Sequence, residues 1–174
     1  MSIGIVAGSF DPITNGHVWL IRKAAEMIGD GKLYVVIGVN SAKKYYFSAE
    51  ERATQITRVL EETLPSSLFK AVEIVDVKND FLINFAKSVR ASYIFRGIRN
   101  SEDFNYEAQI LQVNRKICAK IETVFFMPPF EMSEVSSSTV RGLVGFNDWE
   151  QIVEQYVHSS VIDDFKKKLN SVTS

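Results

Sequence analysis

The 174 residues suit a single domain, which usually spans about 100–200 residues, and a hydrophobic fraction of 46% is enough to build a core. The 20 Lys and Arg residues are balanced by 21 Asp and Glu residues, which argues against a nucleic-acid-binding protein with its usual basic excess. The only cysteine, Cys118, cannot form an internal disulfide. The sequence shows no signal-peptide pattern and no apolar run of about 18 residues. We therefore expect a cytoplasmic protein that binds neither nucleic acid nor a membrane.

The chain begins with a pattern typical of a strand, a tight loop and a helix. Residues 3–7 are an apolar run that predicts a buried strand, and apolar residues recur at helical spacing over residues 18–28. Small and turn-forming residues lie between these segments, with Thr14 or Asn15 as the expected N-cap. Such a loop points backbone N–H groups and a helix N-terminus at one spot, which favours phosphate binding. The imidazole of His17 would face the same phosphate.

Four more apolar runs follow, with helical patterns between them. The runs cover residues 33–39, 71–77, 93–95 and 124–127. Helices are predicted after a capping box at Ser48 and over residues 81–89 and 104–115. This alternation predicts an α/β fold with a Rossmann-like, doubly wound parallel sheet of about five strands and helices on both faces. We expect residues 1–174 to form a single domain, with a C-terminal helical tail from about residue 146.

Polar and basic residues follow four of the predicted strands, at the points where these strands end. They are the opening motif (residues 8–17), Lys43, the pair Arg96 and Arg99, and the serine run at residues 136–138. Because ligands bind beyond the carboxyl ends of parallel strands, these groups should converge on one site for a polyanion. Each group alone is more often an ordinary polar loop or helix cap, so this interpretation depends on their joint position.

Other kinds of site have little support in the sequence. The chain has no cysteine pair and no His-x-x-x-His spacing for zinc. It also lacks a Walker loop and the Gly-x-Gly-x-x-Gly pattern of dinucleotide-binding folds. Phosphate binding would therefore depend on the loop and the histidine of the opening motif.

The opening motif contains Thr-x-Gly-His, the signature of the nucleotidylyltransferase superfamily, and the chain resembles the bacterial phosphopantetheine adenylyltransferases from about residue 3 to residue 141. Further segments match this family in order and spacing. They are residues 47–52, 96–99, 103–107, 114–116, 122–128 and 136–138. Two departures are Met132, where the family usually has an aromatic residue, and the tail from Phe146 onward.

The resemblance implies that the protein transfers the adenylyl group of ATP to 4′-phosphopantetheine, giving dephospho-coenzyme A and pyrophosphate. This is the penultimate step of coenzyme A biosynthesis. The resemblance also implies Mg²⁺ as cofactor and a homohexameric assembly. No residue of the chain is predicted to be a metal ligand.

The resemblance further implies roles for individual residues. The catalytic residues would be His17, Lys43 and Arg99. His17 would donate a hydrogen bond to the α-phosphate, and Lys43 would hold the acceptor phosphate beside it. The residues on the acceptor side would be Ser9, Lys43, Leu82 and Arg96. The ATP-binding residues would be Ser9, Phe10, His17, Gly97, Ile98, Arg99, Glu107, Met132, Ser133, Glu134, Val135, Ser136, Ser137 and Ser138.

Three alternative functions remain open at this point. The first is a sister nucleotidyltransferase with another acceptor, such as nicotinate mononucleotide or glycerol phosphate, and the segment 96–107 argues against it. The second is a non-catalytic nucleotide sensor, which would not need to keep His17, Lys43 and Arg99. The third is an RNA-binding module, which the near-zero net charge disfavours.

Overall fold

The computed structural model describes residues 1–133 and 136–172, which form five parallel strands with helices on both faces of the sheet. The strands are β1 (Ile3–Gly8), β2 (Lys32–Val39), β3 (Val72–Lys78), β4 (Tyr93–Gly97) and β5 (Glu122–Phe126). They are hydrogen-bonded in the order β3-β2-β1-β4-β5, and every neighbouring pair is parallel. The predicted fold class is therefore confirmed. The strand order reverses between β1 and β4, and in open α/β sheets such a reversal leaves a crevice at the carboxyl edge.

The helices lie between the strands and after the last strand. They are α1 (Asn15–Ile28), α2 (Ala49–Thr63), α3 (Ser66–Phe69), α4 (Leu82–Ser88), α5 (Ser101–Ile117), α6 (Phe130–Ser133), α7 (Ser137–Leu143), α8 (Trp149–Val153) and α9 (Ser159–Val172). Among the described residues, none of these helices combines the length and the apolar character needed to cross a membrane.

Two helices begin at the caps that the sequence predicts. The Thr14 hydroxyl accepts a hydrogen bond from the backbone N–H of His17, at 3.5 Å, at the start of α1. At the start of α2, the Ser48 hydroxyl accepts from the backbone N–H of Glu51 at 3.1 Å, and the Glu51 carboxylate accepts from the Ser48 N–H. These bonds satisfy backbone N–H groups that a helix leaves unpaired in its first turn. Because each cap spans only three residues, a local pattern was enough to predict it.

Both faces of the sheet are covered because successive side chains of a strand point to opposite faces. On one face, Val6 of β1 and Val35 of β2 belong to the larger hydrophobic cluster, which includes buried residues of α1, α2 and α9. On the other face, Ile5 and Val36 belong to a smaller cluster with Ile83 and other residues of α4. Strands that are apolar on both sides are typical of parallel sheets with helices on both faces.

The C-terminal helices belong to the larger cluster and do not form a separate unit. Trp149 of α8 and Phe165 of α9 are buried, and their ring centroids are 5.9 Å apart. The Phe165 ring also contacts Tyr46 and Phe47 at centroid distances of 5.1 and 4.9 Å. The three consecutive lysines at residues 166–168 lie inside α9.

Candidate active site

A cleft with a volume of about 330 Å³ lies at the carboxyl ends of β1 and β4, where the strand order reverses. Its walls come from the β1–α1 loop, the start of α1, the end of β4, α5 and the start of α7. The structure brings together ten of the residues predicted for the site. They are Ser9, His17, Arg96, Gly97, Arg99, Glu107, Met132, Ser136, Ser137 and Ser138.

Phe10 and Ile98, which are also predicted to bind ATP, lie outside the lining of the cleft. Phe10 and Ile98 are buried, and the Phe10 ring packs edge-on against the His17 imidazole at a centroid distance of 4.9 Å. Ser133 is the last residue of α6. Glu134 and Val135 lie outside the described residues. The roles assigned to these residues in ATP binding stay predictions.

Two residues predicted for the acceptor side also lie outside the lining. Lys43 is exposed in the loop between β2 and α2, which follows the carboxyl end of β2 next to β1. Leu82 is half-buried at the start of α4 and packs against the smaller hydrophobic cluster. The segment that follows β2 and carries Lys43 was predicted to contribute to the site. It therefore lies beside the cleft, in the β2–α2 loop.

His17 is held in the first turn of α1 by the residue that caps the helix. The backbone N–H of Thr14 donates to Nδ1 of His17 at 3.1 Å, and the Thr14 hydroxyl lies 2.9 Å from the same nitrogen. Because a backbone N–H can only donate, Nδ1 is the unprotonated acceptor of the ring. The neutral ring therefore carries its hydrogen on Nε2.

The surroundings of His17 keep its imidazole uncharged. Burial, followed by the positive charges of Arg99 and Arg96, lowers the pKa of His17 from 6.5 to about 4. Burial disfavours the charged form, and nearby guanidinium groups repel an imidazolium. At neutral pH the side chain therefore offers Nε2–H as a hydrogen-bond donor in the cleft.

Arg96 is fixed by two partners at the end of β4. Its Nε donates to Glu107 of α5 at 2.9 Å, and its Nη2 donates to the other oxygen of the same carboxylate. Its Nη1 donates to the backbone oxygen of Ala7 at 2.6 Å. Glu107 is the buried residue of α5, which is otherwise mostly exposed. This bidentate pairing with Glu107 sets the orientation of the Arg96 guanidinium, because the planar guanidinium matches the two oxygens of a carboxylate.

Arg99 is paired in the same way with Asp103, four residues later. Arg99 donates from Nε at 2.8 Å and from Nη2 at 3.1 Å to the Asp103 carboxylate, which also accepts from the Arg99 backbone N–H. The hydrogen bond from Arg99 lowers the pKa of Asp103 and the bond to Asp103 raises the pKa of Arg99. Both arginines are therefore oriented by acidic partners.

The sequence-based list of site residues omitted three charged residues, two that line the cleft and one that holds a lining residue. Asp103 lines the cleft beside Arg99, and the i, i+4 spacing of the two residues was the signal that could have identified it. Arg141 of α7 also lines the cleft and donates from Nη1 to the backbone oxygen of Asp11. The Arg141 guanidinium lies 3.6 Å from the Asp11 carboxylate. The sequence carried no signal for this pairing, because 130 residues separate the two partners.

The arrangement provides hydrogen-bond donors and positive charge for an oligophosphate and does not resemble a nucleophile with its base. Nδ1 of His17 is occupied by Thr14, so it is not available to activate a hydroxyl. The hydroxyls of Ser9, Ser137 and Ser138 line the same cleft. Ser137 donates to the backbone oxygen of Pro12 at 2.7 Å, which fixes the start of α7 to the β1–α1 loop.

Comparison with known proteins gives the family. A family model described as cytidylyltransferase-like matches residues 5–143. A phosphopantetheine adenylyltransferase from Chromobacterium violaceum is 41% identical over 161 residues, covering 92% of this chain and 93% of the relative. A second one, from Lactobacillus acidophilus, is 36% identical over 169 residues, covering 97% of this chain and 98% of the relative. The chain belongs to the phosphopantetheine adenylyltransferase family.

Membership of the phosphopantetheine adenylyltransferase family extends over the tail as well as the motifs, since the match to the Lactobacillus acidophilus protein covers 97% of the chain. The family resemblance expected from the sequence motifs is therefore confirmed. Among solved structures, the nicotinic acid mononucleotide adenylyltransferase of Plasmodium falciparum, complexed with NaAD, has a TM-score of 0.71 and 20% identity. The match covers 97% of this chain and 96% of the Plasmodium falciparum chain. At this identity the likeness concerns the fold alone.

Proposed function

We propose that this protein transfers the adenylyl group of ATP to 4′-phosphopantetheine, giving dephospho-coenzyme A and pyrophosphate in coenzyme A biosynthesis. The proposal is supported by curated relatives named phosphopantetheine adenylyltransferase that match nearly the whole chain. The observation that carries it is the cleft, where a neutral His17 donor and the oriented Arg96 and Arg99 meet at the carboxyl ends of β1 and β4. A hydrogen-bond donor and two guanidinium groups at one place suit the transfer of a nucleotidyl group.

The reaction requires positioning and charge stabilisation, with little acid–base work by the protein. An oxygen of the acceptor phosphate attacks the α-phosphorus of ATP and forms a new P–O bond. The bond from the α-phosphorus to the bridging oxygen breaks, and pyrophosphate leaves with that oxygen. Because the attacking phosphate is already ionised, no side chain has to remove a proton and no covalent enzyme intermediate is needed.

In this mechanism His17 acts on the transferred group. Its Nε2–H would donate to an oxygen of the α-phosphate, where negative charge increases in the transition state. The donor is already aligned, since Thr14 holds the opposite ring nitrogen at 3.1 Å. Arg99 would stabilise the same charge from the other side of the cleft.

The remaining ATP groups would contact residues on both sides of His17. The serine run at residues 136–138, at the start of α7, would bind the β- and γ-phosphates. The backbone of Gly97 and Ile98, at the end of β4, would lie beside the nucleoside together with Met132. Phe10 would support the floor of the cleft through its contact with His17.

The acceptor would lie between the cleft and the β2–α2 loop. Ser9 and Arg96 line the cleft on the side of the acceptor, and Lys43 would reach the acceptor phosphate from its exposed loop. Leu82 would contact the pantetheine arm. Arg96→Ala and Lys43→Ala should therefore raise the KM for 4′-phosphopantetheine more than the KM for ATP, measured by steady-state kinetics. Equal changes in both KM values would contradict this assignment.

We also propose Mg²⁺ as the cofactor. Proteins usually hold Mg²⁺ with one or two carboxylates, substrate phosphates and several waters. In the described part of the chain, no group of three His, Cys, Asp or Glu side chains is placed to hold a metal, and Asp103 and Glu107 are paired with arginines. This donor set fits an ion whose main ligands are ATP phosphate oxygens, with the hydroxyls of Ser9 and Ser138 as neutral donors. When bound, Mg²⁺ would neutralise charge on the phosphates.

We further propose that this single domain is cytoplasmic and assembles as a homohexamer. The cytoplasmic location is supported by the single cysteine, because an internal disulfide is impossible. Assembly is supported by an exposed apolar stripe on α5. Its residues are Ile110, Val113 and Ile117, between 38% and 47% exposed. They recur at the spacing of one helix face, beside the edge strand β5, and exposed apolar patches mark interaction surfaces.

The assembly is tested by sedimentation-velocity centrifugation. The wild-type protein should sediment as a hexamer, and Val113→Glu should give smaller species because it places a charge in the stripe. Lys87→Glu, on the basic last turn of α4, is the matched control and should leave the hexamer intact. A monomer in the wild type at micromolar concentration would contradict the proposal.

The activity is tested by measuring pyrophosphate release from ATP. With Mg²⁺, 4′-phosphopantetheine should give dephospho-coenzyme A, whereas nicotinate mononucleotide and glycerol phosphate should give no product. Replacing Mg²⁺ by EDTA should abolish the reaction. Folded protein that uses another acceptor would support a sister enzyme, and folded protein that releases no pyrophosphate with any acceptor would support a nucleotide sensor.

A further inference from the structure

We propose that Asp11 is a positioning residue that holds the β2–α2 loop, which carries Lys43, in register with His17. The proposal rests on the function proposed above, because it concerns how the acceptor-phosphate ligand is placed beside the α-phosphate donor. Asp11 does not line the cleft and is 2% exposed. Asp11 would therefore act through the β1–α1 loop, to which it belongs, and the β2–α2 loop, and it would not touch the substrates.

The Asp11 carboxylate joins two loops that are distant in sequence. Its Oδ2 accepts from the backbone N–H of Tyr46 at 2.9 Å, and its Oδ1 accepts from the backbone N–H of Phe47 at 2.8 Å. The partners are 35 and 36 residues away along the chain. Because each oxygen of a carboxylate can accept a hydrogen bond, this one side chain satisfies the backbone N–H groups of both Tyr46 and Phe47.

The buried side chain of Arg52 also connects the β1–α1 loop and the β2–α2 loop. It is 1% exposed, and its Nη1 donates to the backbone oxygen of Ser9 at 2.6 Å. Its Nε donates to the backbone oxygen of Ser48 at 3.2 Å, and the guanidinium lies 4.2 Å from the centroid of the Tyr45 ring. A buried arginine with this set of partners has little freedom, so the C-terminal half of the β2–α2 loop is held on two sides.

The N-terminal half of the loop is also held, which leaves Lys43 at its tip. The Tyr45 hydroxyl accepts from the backbone N–H of Asn40 at 2.9 Å. The Asn79 side chain accepts from the backbone N–H of Ser41 at 3.0 Å. A shift of the Asp11 contacts would therefore move Lys43 relative to the β1–α1 loop, which leads into His17.

Asp11 also contacts the helix that carries the serine run. The guanidinium of Arg141 in α7 lies 3.6 Å from the Asp11 carboxylate and donates to the Asp11 backbone oxygen. One buried carboxylate thus contacts the β2–α2 loop on the acceptor side and α7 on the ATP side. Its two hydrogen bonds go to the acceptor side, so its loss should affect acceptor binding most.

Asp11→Asn tests the proposal because asparagine keeps the shape but offers only one acceptor oxygen. One of the two loop N–H groups would then face the amide N–H₂, which cannot accept it. Amide hydrogen exchange at Tyr46 and Phe47 should speed up by about tenfold or more. The KM for 4′-phosphopantetheine should rise by about tenfold, and the KM for ATP by less.

A double-mutant cycle with Lys43→Ala separates positioning from a general loss of structure. If Asp11 acts through Lys43, Asp11→Asn should change the acceptor KM by less than about twofold in the Lys43→Ala background. Asp164→Asn is the matched control. The Asp164 carboxylate accepts a hydrogen bond from Arg58 at 2.5 Å, and neither residue lines the cleft. This control should leave both KM values unchanged.

The outcomes distinguish this proposal from the proposed function. If the wild type forms no dephospho-coenzyme A, the function fails, and the exchange experiment still tests the contact between the loops. Unchanged exchange at Tyr46 and Phe47, or additive effects of Asp11→Asn and Lys43→Ala, would overturn the positioning role. If Asp11→Asn does not fold, Arg52→Lys replaces it, since lysine lacks the Nε and Nη1 fork that donates to both Ser48 and Ser9. It should show the same split between the KM values, and an equal rise in both would overturn the role.

Discussion

At the scale of single residues, His17 is held as a neutral donor by its own helix and by its charged neighbours. Thr14 selects the tautomer by donating to Nδ1. Burial and the charges of Arg99 and Arg96 lower the pKa of the ring to about 4. An uncharged imidazole stays in place without an anion, whereas an imidazolium would be repelled by the two arginines. The free cleft can therefore keep three donor groups close together.

The protonation of His17 can be followed by NMR. In the free protein, the ring C–H signal of His17 should titrate near pH 4. Binding of an ATP analogue should raise this pKa, because negative phosphates stabilise the imidazolium. His17→Gln assigns the signal, since His158 is the other of the two histidines in the chain. A titration near pH 6.5 in the free protein would show that the ring is solvated.

The same pKa predicts how the free energy of unfolding depends on pH. Between pH 6.5 and pH 4, the unfolded chain binds a proton at His17 that the folded protein does not bind. The contribution of His17 to stability is therefore fully present above pH 6.5 and falls by up to about 1.4 kcal/mol per pH unit as the pH decreases. Urea unfolding at several pH values should show this slope, and the slope should be weaker in His17→Gln. An unchanged slope in the variant would assign it to other groups.

Removal of the His17 side chain should affect turnover far more than ATP binding. We expect His17→Ala to lower kcat by on the order of 10²–10³, as for the loss of one transition-state donor, while the Kd for ATP changes only a few-fold. Steady-state kinetics and calorimetric titration give the two values. His158→Ala is the control, because His158 contacts Ser160 and Glu62 away from the cleft. A collapse of ATP binding with kcat preserved would make His17 a ground-state ligand.

At the scale of single elements, the start of α1 links helix stability to the chemistry of the site. The Thr14 hydroxyl accepts from the His17 N–H and lies 2.9 Å from the imidazole, so the helix cap and the ring restraint are one structure. Ser48 caps α2 in the same way with Glu51. The difference is that the residue three positions after Ser48 does not line the cleft.

Replacing each of these two caps should separate stability from turnover. Thr14→Ala and Ser48→Ala should each lower the free energy of unfolding by about 1 kcal/mol, because each leaves a helix N–H unpaired. Only Thr14→Ala should also lower kcat, since it loosens His17, and Thr14→Ser should restore it. Chemical denaturation and kinetics on the three variants measure both quantities. An equal effect of both alanine variants on kcat would argue against a special role for Thr14.

At the scale of the whole molecule, α9 closes the larger hydrophobic cluster next to the β2–α2 loop. Phe165 is completely buried and its ring contacts Phe47 and Trp149. The ammonium of Lys168 lies 2.7 Å from the Glu51 carboxylate at the start of α2. The end of the described chain therefore stabilises a segment that lies beside the site.

Loss of the Phe165 ring should destabilise the whole fold. Phe165→Ala should lower the free energy of unfolding by about 3–5 kcal/mol, because a large buried side chain leaves a cavity. Phe146→Ala is the control, since the Phe146 side chain is 69% exposed, and it should change stability by less than about 0.5 kcal/mol. Both values come from urea denaturation. A loss below 1 kcal/mol for Phe165→Ala would show that α9 packs only loosely on the core.

The sequence by itself determined the features that depend on neighbours within a few residues. Apolar runs predicted all five strands, with ends shifted by one or two residues. The cap at Ser48 and the cap at Thr14, one of two expected positions, followed from hydrogen bonds that span three residues. The position of the cleft also followed, because the carboxyl ends of parallel strands meet at one edge of the sheet.

Only the tertiary structure decided which side chains meet across the cleft and how they ionise. Arg96 and Arg99 were predicted to bind a polyanion, and the structure pairs each of them with a carboxylate of α5. Asp11 joins loops 35 residues apart. The low pKa of His17 comes from burial and from charges on another strand end. Such contacts depend on the topology and packing of the whole chain, because the apolar pattern of a segment specifies its period and its buried face but not its partner in space.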